Sequence, residues 1–196
     1  MSVSDIESPL HVGLSAWIIQ DGNYGDFEVG QEAKFALEFY SPQDLRTAHR
    51  GPAFADRITA SRYRVQARVA FSGPQAWVID TGRFMAFQQG EPPSHASVGT
   101  WMEGTIYLGV DPFFYFEELH RIAGMPLLSY RWVVRDVMRE VTPWVEVKDQ
   151  SGRATRKRDE GKEAFVSAAK TDAWHDDEGH GHYVLGLEQM AGPEGP

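Results

Sequence analysis

Cysteine is absent from this 196-residue sequence. Disulfides, cysteine-ligated zinc sites and thiol nucleophiles are therefore excluded. The sequence also has no apolar run long enough for a transmembrane helix, and residues 1–7 lack the basic stretch and apolar core of a signal peptide. Together these absences predict a cytoplasmic protein with no membrane partner.

Basic residues are scarce relative to acidic ones, with 19 Lys and Arg against 28 Asp and Glu and a net charge of −9. A field of that sign repels nucleic acid and anionic membranes, which are bound by clustered Lys and Arg. It favours association with a basic protein through electrostatic steering. The predicted partner is therefore another protein, in particular a basic one, and nucleic acid is the less favoured partner.

The usual catalytic signatures are missing as well. The sequence contains no Gly-x-Ser-x-Gly elbow, no P-loop, no dinucleotide-binding fingerprint and no His-Glu-x-x-His. It therefore predicts no catalytic residue and no cofactor, and it favours a non-enzymatic role.

Strand-like alternation is the dominant pattern that is present. From Arg62 to Phe71, apolar residues alternate with polar ones, which is typical of a half-buried strand. Similar runs separated by turn residues predict about eight strands and one short helix over 113–122, capped by Asp111. The long strand 130–141 changes phase, which predicts a bulge near Asp136. The fold class is all-β and mainly antiparallel, a single barrel or sandwich.

The predicted element order from residue 62 onward is three strands, a short helix and a further strand. This layout partly resembles the OB-type five-stranded barrel, with the helix between its third and fourth strands. We expect residues 1–10 to be flexible, residues 11–190 to form one β domain and residues 191–196 to be disordered.

Three short landmarks occur twice in the same order, which suggests an internal duplication over units 12–70 and 76–141, with divergent strands in 164–190. The first landmark, Ala-Trp, is interpreted as a buried strand that runs into a glycine turn. The alternative is that the two tryptophans are independent core anchors. The landmarks are Ala16-Trp17 and Ala76-Trp77, Val29-Gly30 and Val98-Gly99, and Tyr63-Arg64 with Arg68 and Tyr130-Arg131 with Arg135.

Two arginine-bearing strands form the first candidate site. If these strands are neighbours, their guanidinium groups would bind phosphate or carboxylate, and nearby aromatic rings would stack on a nucleotide base. The alternative is ordinary cross-strand pairing with Glu32, Glu38 and Glu103. The predicted ligand-binding residues are Arg64, Arg68, Arg131, Arg135, Trp101 and Tyr107.

An aromatic run forms the second candidate site. If exposed, Phe113, Phe114, Tyr115 and Phe116 would mark a surface for a protein partner, because large apolar patches are unusual on monomers. The alternative is that these side chains plug one end of the barrel.

A histidine-rich segment near the C-terminus forms the third candidate site. His175, Asp177, His180 and His182 combine imidazole and carboxylate groups, which suit divalent transition metals. A glycine-rich hairpin tip is a poor platform for a catalytic metal, so an exposed polar turn is the alternative.

These observations favour a non-enzymatic binding or adaptor domain that acts through a protein–protein interaction. Two other functions remain open: nucleotide or single-stranded nucleic-acid binding through the arginine face, and a metal-dependent enzyme built on the histidine segment. The oligomeric state does not follow from the sequence.

Overall fold

The structure, a computed structural model, describes residues 8–148, 152–190 and 192–195 and is mainly β, with only short helices. The helices are α1 (Ala16–Gln20) and α2 (Phe114–Glu117), with 3-10 turns at Leu119–Arg121, Glu160–Lys162 and Asp176–Gly179. The strands are β1 (Leu10–Ser15), β2 (Glu32–Tyr40), β3 (Arg46–Thr47), β4 (Phe54–Thr59), β5 (Arg62–Ser72), β6 (Ala76–Asp80), β7 (Met85–Gln89), β8 (Trp101–Val110), β9 (Ser129–Glu140), β10 (Trp144–Lys148), β11 (Ala154–Arg158), β12 (Phe165–Ala168) and β13 (His182–Gln189).

Eight of these strands close into a mixed barrel in the order β1, β13, β9, β2, β7, β6, β5, β8, with β8 pairing back to β1. Six of the contacts around the ring are antiparallel, whereas β2–β7 and β8–β1 are parallel. Strands β2 and β8 also pair directly. The predicted all-β, mainly antiparallel fold class with about eight strands is confirmed, and of the two predicted architectures the structure has the barrel.

The core follows from the alternation of side chains along each strand. In β5, Tyr63, Val65 and Ala67 are buried and belong to the main apolar cluster, whereas Arg64 and Arg68 are exposed. In β9 the phase change lies where predicted, because the register with β13 shifts next to Asp136.

A second apolar cluster lies outside the barrel under α2, and we call it the covered face. The N-cap residue of α2 is Phe113 and not the predicted Asp111, but the Asp111 carboxylate accepts hydrogen bonds from the Phe114 and Tyr115 backbone N–H groups, at 2.8 and 3.1 Å. The helix is one turn followed by a 3-10 turn, shorter than expected. The covered face comprises Ala36, Ala76, Val78, Phe87, Tyr115 and Leu119.

The strand pairings have an internal two-fold pattern. Exchanging β1 with β7, β13 with β6, β9 with β5 and β2 with β8 reproduces every contact of the ring and its direction. One half, β5 to β8, is contiguous in sequence, and the other combines β9 and β13 with β1 and β2. The registers place Tyr130 and Arg131 at the positions of Tyr63 and Arg64, as the third landmark suggested.

The first landmark is not equivalent in its two copies. Residues Ala16–Gln20 form helix α1 instead of a strand, and by register the counterpart of Trp77 is Tyr183. The reason is that the partner strand has no further residue here: Ser15 pairs with His182, which is the first residue of the antiparallel strand β13. A helix supplies its own hydrogen bonds where no strand partner remains. The two halves are consequently not the predicted units 12–70 and 76–141.

Other departures concern the helix position and the chain ends. Strand β7 is separate from β6, so α2 follows the fourth strand of the predicted OB-like series, β8, instead of the third. Leu10, in the segment expected to be flexible, is buried in β1, and Glu194, in the expected tail, bridges to Ser129. Residues 1–7, 191 and 196 of those two segments lie outside the described residues.

Candidate binding groove

An open groove of about 300 Å³ lies on the outer face of the barrel where β1, β2, β8 and β13 meet. Its walls come from outward-facing residues of these strands, with α1 and the β4–β5 turn at the rim. We call it the open groove and define it by Gly13, Glu38, Tyr40, Arg62, Tyr107 and His182.

Two glycines make the floor of the open groove. Gly13 and Gly109 pair across the parallel β1–β8 contact, and Gly109 also pairs with Glu38. A β-carbon on Gly13 would lie 3.1 Å from Ser61 Oγ, and one on Gly109 would lie 3.3 Å from Glu38 Oε1. Neither glycine has a positive φ, so the missing side chain is what matters: Gly109 leaves space beside the Glu38 carboxylate, and Gly13 leaves space beside Ser61.

Exposed aromatic rings border the floor. Tyr40 and Tyr107 are directly paired on β2 and β8, and they are 61% and 40% exposed. Trp17, on α1, is 52% exposed at the rim. Three large aromatic side chains that face solvent at one concavity are well suited to pack on a ligand.

The acid at the floor has an unusual proton affinity. Burial and, second, the nearby Asp111 carboxylate together raise the pKa of Glu38 to about 7. Burial also raises the pKa of Asp111 to about 7, against the effect of the backbone N–H groups that bind its carboxylate. The pair therefore gains or loses protons near neutral pH instead of near pH 4.

A polar row lines the opposite side of the open groove. Ser15 Oγ lies 3.3 Å from His182 Nδ1, with the two residues paired on β1 and β13. Desolvation lowers the pKa of His182, and the Glu140 carboxylate on β9 partly offsets this effect. Glu163 also lines the cavity. With Glu38, the groove thus contains three carboxyl groups and one arginine.

The predicted arginine face does not form. Strands β5 and β9, which carry the four arginines, lie on opposite sides of the ring. Arg64 pairs with Asp56 at 3.1 Å, Arg131 with Glu32 at 3.0 Å, and Arg135 with Glu188 at 2.6 Å. Cross-strand charge pairing therefore accounts for three of these residues.

The other members of the predicted ligand set separate as well. Arg68 is exposed, and it pairs in register with Trp101. Trp101 does not line the open groove, whereas Tyr107 does. Tyr107 is thus the one residue of that set that the structure brings to the groove.

The predicted aromatic partner surface is largely covered. Tyr115 is 1% exposed, its hydroxyl donates to the Pro126 carbonyl, and it accepts from the Leu128 N–H group. Phe113 stacks on Phe116 at 5.0 Å between ring centroids, and Phe114 packs against the covered face. The aromatic residues therefore pack on the outer wall of the barrel and do not form an exposed apolar patch.

The four predicted metal residues do not meet at one place. His175 contacts Asp172 at 2.7 Å, and Asp177 binds the Trp144 indole N–H and the Arg158 guanidinium. His180 and Asp177 line one cavity beside Trp144, and His182 lines the open groove. Within the described parts of the chain, no three His, Asp or Glu side chains are arranged to hold a metal ion.

Most of the groove residues were missed from the sequence. The sequence predicts Glu38 only as a pairing partner for an arginine, and it predicts Trp17 as part of a buried strand. The available signal was glycine inside strands: Gly13 and Gly109 interrupt otherwise apolar runs, and such glycines often mark a close approach or a site.

Comparison of the chain with models of protein families, with curated proteins and with solved structures gave no match. Across the residues that the structure describes, no helix has the length and apolar character needed to cross a membrane.

Proposed function

We propose that the protein is a non-enzymatic binding domain whose open groove takes a basic segment of a protein partner. The observation that carries this proposal is the meeting of exposed aromatic rings and carboxyl groups in one concavity. Trp17, Tyr40 and Tyr107 offer ring faces, and Glu38, Glu140 and Glu163 offer negative charge.

The chemistry of the groove selects a cationic side chain. Ammonium and guanidinium groups are attracted to aromatic faces and to carboxylates, and both kinds of group are present. A cation beside Glu38 favours its ionised form, so binding would release a proton from a carboxyl group whose pKa lies near 7. The net charge of −9 would steer a basic partner toward the protein before contact.

The direct test is a titration with two end-blocked peptides, Ac-Ala-Lys-Ala-Lys-Ala-amide and the same peptide with Glu in place of Lys, followed by NMR. We expect the Lys peptide to bind at least about tenfold more tightly, a difference of about 1.4 kcal/mol, and to shift the Trp17 indole signal. The substitutions Trp17→Ala and Glu38→Gln should each weaken this binding several-fold.

Trp174→Ala is the matched control, because Trp174 is 63% exposed but does not line the groove. Its substitution should leave peptide binding unchanged. Equal affinity for the Lys and Glu peptides, or equal effects of Trp17→Ala and Trp174→Ala, would contradict the proposed function.

A further inference from the structure

Arg62 differs from the other half-buried arginines of the described chain. Arg83 donates to the Ser8 carbonyl, Arg139 pairs with Asp176, and Arg158 pairs with Asp177. Arg62 Nε is buried without a hydrogen-bond partner, and no carboxylate among the described residues pairs with its guanidinium. Arg158 Nε is also buried without a hydrogen-bond partner, but the other two guanidinium nitrogens of Arg158 donate to the Thr142 carbonyl and to Asp177. Among these four arginines, Arg62 is therefore the one whose guanidinium has no hydrogen bond or ion pair to any described residue.

An unsatisfied guanidinium N–H is costly when it is removed from water. Arg62 lines the open groove and also a neighbouring cavity that it shares with Tyr107. Oxygen acceptors from a ligand in the groove would satisfy it, and a carboxylate does so with two parallel bonds because its geometry matches the guanidinium fork.

The register places Arg62 in line with the aromatic wall. Arg62 pairs with Tyr107, and Tyr107 pairs with Tyr40, so the three residues form a row across β5, β8 and β2. Two strand spacings put the Arg62 and Tyr40 backbones about 10 Å apart. Glu38 lies two residues from Tyr40 on the same face of β2, so an anion-binding and a cation-binding group stand at opposite sides of one ring-lined space.

We propose that Arg62 binds the C-terminal carboxylate of the basic segment, so that the open groove recognises a chain end whose last residue is Lys or Arg. This inference rests on the proposed function and names the part of the partner that enters the groove. The terminal carboxylate lies on Arg62, the last side chain extends over Tyr107 and Tyr40, and its cationic end lies at Glu38.

A terminal carboxylate fits better than a phosphate as the anion. Glu38, Glu140 and Glu163 line the same cavity and would repel a doubly charged group. A singly charged carboxylate that comes with its own cationic side chain matches the mixed charges of the site.

The test compares Ac-Ala-Ala-Lys with a free C-terminal carboxylate and the same peptide as its C-terminal amide, each titrated against the full chain by NMR. We expect the free acid to bind about tenfold more tightly. Arg62→Gln should reduce that ratio to about one, and Glu38→Gln should weaken the binding of both peptides by the same factor. Arg64→Gln is the matched control, because Arg64 is exposed two residues away on β5 and should leave the ratio intact.

Four outcomes separate this inference from the proposed function. Equal binding of acid and amide to the unsubstituted protein would overturn the role of Arg62 while leaving a basic-segment site in place. Retention of the acid preference in Arg62→Gln, with the fold intact by circular dichroism, would also overturn it. Binding of neither peptide would overturn the proposed function itself, and displacement of the free acid by millimolar inorganic phosphate would assign Arg62 to phosphate instead.

Discussion

The covered face and the open groove occupy equivalent places in the two halves of the barrel. The two-fold pairing pattern aligns Phe87 with Gly13, Ala76 with His182, and Ala36 with Tyr107. On the covered face these positions are apolar and packed under α2. In the groove the same positions carry a glycine, an imidazole and an exposed phenol.

The difference between the two faces begins with the segments that follow β8 and β2. After β8, the chain enters the aromatic helix α2 and the 3-10 turn that follows it, and Tyr115 and Leu119 of these elements cover the apolar positions. After β2, the equivalent segment forms β3 and pairs with the start of β8, so it leaves the parallel β1–β8 contact open. The same strand arrangement therefore supports the packed covered face in one half of the barrel and the open groove in the other. The residues at equivalent positions are apolar on the covered face and small or polar in the open groove.

Removing the central side chain of the covered face should have the largest effect. Tyr115→Ala should lower the free energy of unfolding by about 3–5 kcal/mol, since it deletes a buried ring and two hydrogen bonds. Tyr107→Ala, in the open groove, should change it by less than about 0.5 kcal/mol. Urea unfolding monitored by fluorescence measures both. Similar losses for the two variants would show that the faces do not differ in packing.

A smaller effect should follow from the acid at the groove floor. Burial raises the pKa values of Glu38 and Asp111 to about 7, so near pH 6 the folded chain holds protons that the unfolded chain has released. Stability should therefore fall as pH rises from about 4.5 to about 7 and then level off. Glu38→Gln removes one of these groups, so the variant should gain about 1–2 kcal/mol relative to the unsubstituted protein between pH 5 and pH 8, after allowance for partial exposure.

Urea unfolding at both pH values measures this difference. The matched control is Glu118→Gln, because Glu118 is exposed and outside the groove. Its stability curve should run parallel to that of the unsubstituted protein. A parallel curve for Glu38→Gln would mean that Glu38 titrates as an ordinary surface acid.

Local pattern was enough to predict the strands but not the groove. The alternation in β5 and the phase change in β9 depend on neighbouring residues and were read correctly. The Ala-Trp landmark failed at Trp17 because the end of β1 is set by a partner strand more than 160 residues away in sequence. The groove floor likewise depends on Gly13 meeting Gly109, which follows from ring closure and not from either local sequence.

The equivalent arginines of the two halves should show the smallest effect. Arg64 and Arg131 occupy matching positions, and each pairs with an exposed carboxylate across a strand, Asp56 and Glu32 respectively. Because exposed pairs gain little in water, Arg64→Gln and Arg131→Gln should each lower the free energy of unfolding by less than about 1 kcal/mol. A double-mutant cycle with Glu32→Gln isolates the pairwise part for Arg131. A coupling free energy above about 2 kcal/mol would indicate that the Arg131–Glu32 pair is shielded from solvent. The two halves of the barrel would then differ in their exposed ion pairs as well as in the packing of the covered face and the open groove.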